Sequence, residues 1–84
     1  RYGGEEFLLY LPCTDTEQGL DVCSQLRLAV QNAEWSDLAD DLAVTISFGL
    51  AEIAGQSLYT SVLSEADTRL YRAKNEGRNR VIAA

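Results

Sequence analysis

Two groups of residues near opposite ends of the chain could do chemistry together. At the start, Gly3-Gly4 precede Glu5-Glu6. Residues without side chains let a bulky ligand approach the backbone, and paired carboxylates are the hard oxygen donors that Mg²⁺ takes alongside waters and substrate phosphates. Neighbouring residues on a strand point to opposite faces, so both carboxylates can serve one ion only where the backbone turns. Near the end, Lys74 and Arg78 stand four positions apart. If the helix persists to Arg78, both cations share a face and reach one polyphosphate, Arg78 as a planar fork and Lys74 as a point charge. Spacing alone leaves bland alternatives open: a Gly-Gly hairpin flanked by solvated glutamates, and cations that merely complement a helix C-terminal dipole.

The elements that must position these groups are readable from hydrophobic period and turn chemistry. Phe7-Leu8-Leu9-Tyr10-Leu11, closed by Pro12, reads as a buried strand entered from the Gly-Gly turn. Thr14 with Glu17 reads as a capping box, and Leu20, Cys23, Leu26, Val30 and Ala33 mark the stripe of an amphipathic helix over about 15–33, weakened but not broken by Gly19. Residues 32–41 read as a polar, acidic loop with Trp35 tucked against the domain. Over 42–53, Val44, Ile46, Phe48 and Leu50 alternate with Thr45, Ser47 and Gly49, the strongest strand signal in the chain. After a loop at 54–57, Tyr59, Val62, Leu63, Ala66, Leu70 and Ala73 follow a helical period, and Gly77 supplies the stop. A short strand at about 79–82 completes the order strand, helix, strand, helix, strand, which reads as an α+β two-layer sandwich. The chain begins inside a turn, so the strand that Gly3-Gly4 would join to residues 7–11 is almost absent and the chain reads as a fragment.

Bulk properties narrow the function classes. With 84 residues and 46% hydrophobic composition, the chain makes at most one small domain with a marginal core. The formal charge of −6 repels nucleic acid and anionic membrane surfaces, so neither is an expected partner, and a phosphate ligand needs local cations to overcome the field. Five of the seven basic residues, Arg69, Arg72, Lys74, Arg78 and Arg80, lie in the last sixteen positions. Cys13 and Cys23 are too few for a disulfide scaffold and fit no common zinc spacing, which points to free thiols and a cytoplasmic setting. No apolar run approaches the roughly 20 residues of a membrane span, and no signal-peptide pattern opens the chain. A parent protein tethered to a membrane elsewhere is compatible with this.

At this point the residues match a known family. Arg1-Tyr2-Gly3-Gly4-Glu5-Glu6-Phe7 resembles the signature of GGDEF domains in its Glu-Glu form. Thr45-Ile46-Ser47-Phe48-Gly49-Leu50-Ala51 resembles the strand that follows it there, and Ala66-Asp67 through Lys74, then Gly77-Arg78-Asn79-Arg80-Val81, resembles the closing helix and strand. The resemblance implies a palm-like fold related to nucleotide cyclases, with residues 1–84 as the C-terminal part of a single domain. It implies condensation of two GTP molecules into cyclic di-GMP by a homodimer in which each domain presents one Mg²⁺-GTP, Mn²⁺ being an alternative ion, and an attached sensory domain in the parent. By that analogy Gly3 and Gly4 line the nucleotide, Glu5 binds metal and helps take the proton of the attacking 3′-hydroxyl, Glu6 joins the metal shell, and Lys74 and Arg78 hold the terminal phosphates. Asp67 is expected to position the helix or its arginine neighbours, Leu70 and Tyr71 to belong to the core, and Asn79 and Arg80 to tie the last strand to the hairpin. The alternative is a non-catalytic relative that binds GTP or cyclic di-GMP and regulates an attached domain.

The sequence departs from the family pattern by lacking the N-terminal half. In the family that half carries a metal aspartate, the guanine-reading side chains, a central strand and an Arg-x-x-Asp product-inhibition site. The 84 residues alone are therefore expected to bind GTP very weakly and to be inactive. Unpaired strand edges beside an apolar face recruit another chain. Light scattering of the purified segment is expected to return a mass above the monomer; a folded, strictly monomeric species would contradict this.

Overall fold

The computed structural model describes residues 6–35, 38, 43–53, 55 and 58–84. Within these the order is α1 (Thr16–Asn32), β1 (Phe48–Gly49), α2 (Tyr59–Asn75) and β2 (Val81–Ile82). The α+β class expected from the sequence is present: two helices and a two-stranded parallel sheet. A parallel pair needs a long crossover, and α2 supplies it. Phe48 pairs with Val81 and Gly49 with Ile82, through Phe48 N–H to Arg80 O and Leu50 N–H to Ile82 O, both at 2.9 Å.

The strands are shorter than their apolar patterns suggest. Residues 7–11 form no strand, because a ladder needs a neighbour and no described segment pairs with them; Phe7, Leu8, Leu9 and Tyr10 stay exposed. The long alternating segment narrows to Phe48–Gly49, and the last strand to Val81–Ile82. The order expected from the sequence therefore lacks its first strand among the described residues. The start of the 42–53 segment and most of the 54–57 loop lie outside those residues.

Helix α1 begins one residue later than the sequence reading, and with a different cap. Asp15, extended at φ −83° and ψ 177°, accepts from Gln18 N–H while Gln18 Oε1 accepts from Asp15 N–H. The capping box is thus Asp15/Gln18 rather than Thr14/Glu17. The Thr14 hydroxyl is engaged elsewhere, donating to Pro12 O at 2.9 Å across a turn in which Cys13 has φ 54°. Thr16 ties the helix start to the segment after β1, its N–H and hydroxyl donating to Glu52 Oε1 at 2.6 and 2.8 Å. At the other end the half-buried Trp35 donates its Nε1–H to Val30 O at 2.9 Å, a carbonyl that also takes the longer 3.4 Å bond from the cap N–H of Ala33.

Two glycines set how closely the helices approach the sheet. A Cβ on Gly49 would stand 2.0 Å from Ala66 O and 2.3 Å from Leu70 N: the α2 backbone lies directly against β1. At Gly19, buried in α1, the nearest atoms are the Leu50 methyls at 3.3 Å, which can shift. Only Cys23, Val62 and Ala73 form a buried hydrophobic core among the residues described. The expected α1 stripe buries Cys23 but leaves Leu20 and Leu26 at 37% and 40% exposure. The accessible surface of 6205 Å² exceeds the roughly 4900 Å² that area scaling gives a compact monomer of this mass.

These contacts separate two superficially equal substitutions. Gly49→Ala must push the α2 backbone away and is expected to cost about 3 kcal/mol or more. Gly19→Ala gains up to about 1 kcal/mol of helix propensity against a small shift of Leu50, and is expected to change stability by less than about 1 kcal/mol. Urea unfolding of the full-length protein carrying each change measures both; equal effects would contradict the packing.

Candidate functional site

The C-terminus of α2 is built to end abruptly. Gly77 takes φ 122°, and Arg78 N–H returns to Ala73 O at 2.8 Å, the long-range bond of a Schellman cap. Glu76 N–H reaches Arg72 O at 2.8 Å. Arg78 and Asn79 then continue in the left-handed region at φ 61° and 49°. The helix stops at Asn75, so Lys74 and Arg78 do not share a helix face by period, as the spacing suggests. Chain reversal, not the i to i+4 relation, leaves both beside one groove.

That groove has a volume of about 1640 Å³ and is lined by Glu6, Asp67, Lys74 and Arg78 together with apolar side chains. It is larger than the roughly 300–1,000 Å³ of a small-molecule pocket, in keeping with the open apolar surface beside it. Lys74 Nζ donates to Glu6 Oε2 at 3.1 Å, joining residues 68 positions apart. The sequence-nominated Glu6, Lys74 and Arg78 thus lie together. Gly3, Gly4 and Glu5, with Arg1 and Tyr2, fall outside the described residues. A shallower depression on α2, lined by Thr60, Ser61, Ser64, Thr68 and neighbouring charges, contains none of the nominated residues.

The basic cluster divides into two kinds of side chain. Arg69 donates to Leu50 O at 2.7 Å and to Glu65 at 2.9 Å, fastening α2 to the end of β1. Arg72 donates to Ala84 O and pairs with Glu76 at 3.5 Å. Arg80 bonds Arg78 O at 3.0 Å and lies 3.9 Å from Glu76. By contrast Lys74 faces Glu6, and the Arg78 guanidinium has no partner among the described residues. Helix-dipole complementation accounts for the presence of cations here, but not for this division.

Several expected roles are corrected. Asp67 makes no hydrogen bond or ion pair among the described residues, because its arginine neighbours already have other acceptors; it is exposed in the groove wall. Tyr71 is 68% exposed: it lies one position past Leu70, about 100° off the stripe that packs on the sheet. The expected tie from Asn79 to the hairpin falls on residues outside those described; the described partners of Asn79 lie elsewhere. Its N–H donates to Ser47 Oγ at 2.9 Å and its side chain meets Arg27 and Gln31 of α1, partners that the sequence reading missed. The polar Gln31 at the end of α1 and Ser47 inside an apolar run were the only signals available.

Both cysteines are free thiols. Burial pushes the pKa of Cys23 up, so it stays protonated and is no nucleophile. Among the described residues no group of three or more metal-ligating side chains forms, and no helix is long and apolar enough to cross a membrane.

Comparison with known proteins identifies the family. Residues 1–80 match the family described as diguanylate cyclase, GGDEF domain. Diguanylate cyclase DgcM of Escherichia coli K12 is 40% identical over 84 residues, which is all of this chain and 20% of that protein. Diguanylate cyclase DgcP of Pseudomonas aeruginosa PAO1 is 37% identical over the whole chain and 12% of its own length, and the response regulator PleD of Caulobacter vibrioides NA1000 is 35% identical over 98% of the chain and 19% of its own length. This α+β chain brings Glu6, Lys74 and Arg78 to one groove. It belongs to the GGDEF family, and it spans about a fifth or less of the length of these relatives.

The two kinds of cation should differ in what they contribute to stability. Lys74→Met breaks only a half-exposed ion pair and is expected to cost less than about 1 kcal/mol. Arg69→Met removes a charged donor from a partly buried carbonyl and is expected to cost about 1.5–3 kcal/mol. Urea unfolding measures both, and the reverse order would make Lys74 a structural residue.

Proposed function

We propose that this chain is the C-terminal part of a diguanylate cyclase domain that condenses two GTP molecules into cyclic di-GMP as a homodimer, within a palm-like two-layer sandwich. The observation that carries this reading is the Lys74–Glu6 contact of 3.1 Å in the same groove wall as Arg78. It brings the end of α2 to the residue that follows Glu5 in the acidic pair.

In this reading Lys74 and Arg78 hold the terminal phosphates, Arg78 in a two-pronged contact and Lys74 as a compact charge. Glu6 and Glu5 hold Mg²⁺ or Mn²⁺. Glu6 fits such an ion by donor type, being a half-exposed carboxylate, and Mg²⁺ asks for only one or two carboxylates beside phosphate oxygens and water. A bound ion would supply neutralisation of phosphate charge. Glu5 takes the proton from the attacking 3′-hydroxyl. Gly3 and Gly4 leave room for the nucleotide to lie against the backbone. Lys74 exchanges its contact with Glu6 for phosphate oxygen when GTP arrives, so ligand binding releases the carboxylate for metal. Phosphoryl chemistry of this kind depends on positioning and charge neutralisation, which these side chains can supply.

The 84 residues alone are proposed to be inactive, since the described part buries few side chains and leaves its groove open. In the full-length protein the domain is proposed to be controlled by an attached sensory domain. Incubating that protein with GTP and Mg²⁺ is expected to yield cyclic di-GMP, and Glu5→Gln is expected to abolish product without altering the melting transition. Absence of product from a folded dimer would favour a regulatory nucleotide-binding role, and full activity of Glu5→Gln would remove Glu5 from the chemistry.

A further inference from the structure

The turn that carries Arg78 is held from outside itself. After Gly77 the chain places two consecutive non-glycine residues, Arg78 and Asn79, in the left-handed region at φ 61° and 49°. Side chains disfavour this conformation, so it persists where surrounding contacts fix it. Those contacts come from two other parts of the chain. Arg27 Nη1 on α1 donates to Asn79 Oδ1 at 3.1 Å, with Asn79 O at 3.5 Å. Arg27 Nη1 and Asn79 Nδ2 each donate to Gln31 Oε1 at 3.2 Å, which closes a ring of three side chains. Ser47, just before β1, accepts from Asn79 N–H at 2.9 Å.

Arg27 is unusual in this knot. Its described acceptors are all neutral amide oxygens, although the chain is acidic overall. It does not line the groove that Arg78 lines. A guanidinium placed here bonds to the residue next to Arg78 rather than to a ligand.

We propose that Arg27 and Gln31 are positioning residues for the phosphate grip: by fixing Asn79 they hold the left-handed turn that aims Arg78 into the groove. The inference rests on the reading of Arg78 as a ligand of the terminal phosphates. A cation on a preset turn loses less freedom when it binds, so affinity for the triphosphate falls if the turn loosens, even though Arg78 is still present. The part of the nucleotide that Arg78 does not touch is indifferent to the knot.

The test is a double-mutant cycle in the full-length protein, with calorimetric affinities for the non-hydrolysable analogue guanosine 5′-(β,γ-imido)triphosphate with Mg²⁺ and for GMP, and a thermal melt for each variant. Arg78→Ala is expected to weaken the triphosphate analogue about tenfold or more. Arg27→Met is expected to weaken it by a substantial part of that factor and Arg27→Lys by less. The double variant is expected to be no worse than Arg78→Ala, because the two act through one contact. GMP affinity stays unchanged throughout. Gln31→Leu is the second variant if Arg27→Met does not fold, and it is expected to show the same non-additivity. Additive losses, an unchanged triphosphate affinity in the knot variants, or an equal loss for GMP would overturn the positioning role while leaving Arg78 a phosphate ligand. An Arg78→Ala protein with undiminished triphosphate affinity would overturn the phosphate reading first, and the positioning role with it.

Discussion

The close approach of α2 to β1 at Gly49 is the constraint on which the rest of the arrangement depends. A helix backbone 2.0 Å from where a Cβ would stand admits no other residue without displacement. Because α2 is fixed there, its C-terminal turn is fixed relative to the sheet. Arg69, bonded to Leu50 O at 2.7 Å, prevents the helix from sliding along it. The position of Lys74 and the start of the left-handed turn follow from these contacts rather than from any interaction at the groove itself. Such a division suits a binding site: rigid elements place the ligand-facing groups, and those groups contribute little to stability.

The rest of the described structure is sparsely covered. Among the described residues Cys23, Val62 and Ala73 form a thin buried core, and Phe7, Leu8 and Tyr10 lie open along the groove. Tight contacts between α2 and the small sheet thus coexist with a loosely covered α1. The knot at Asn79 links these two regions, because Asn79 follows the end of α2 and its partners come from α1 and from the segment before β1. It carries order from the well-packed side to the turn that bears Arg78.

Much of this was legible in the sequence, for identifiable reasons. Helical period located α1 and α2 within a residue or so at each described end, because a stripe such as Val62, Ala66 and Ala73 reports burial whatever the partner. The family was legible because three motifs occur together in order. The strands were not, because an apolar run such as 7–11 records a preference for burial, whereas a ladder depends on which segment lies beside it. The cap moved from Thr14 to Asp15 because turn geometry at Cys13 decides which side chain faces the helix start, and spacing cannot show that. The i to i+4 relation of Lys74 and Arg78 suggested a shared helix face for the wrong reason; Gly77 ends the helix between them. Sequence likewise could not separate Lys74 and Arg78 from Arg69, Arg72 and Arg80, since the difference lies in which acceptors fall within reach.

The central claim is that the acidic start of this chain and the cationic end of α2 act on one metal-bound triphosphate. Paramagnetic broadening in the full-length protein, loaded with GTP and Mn²⁺, tests it most directly. The account predicts that broadening is strongest at the backbone amide signals of Glu6, Lys74 and Arg78. Strongest broadening elsewhere, for example at Ser64 and Thr68 in the shallower depression on α2, would contradict it.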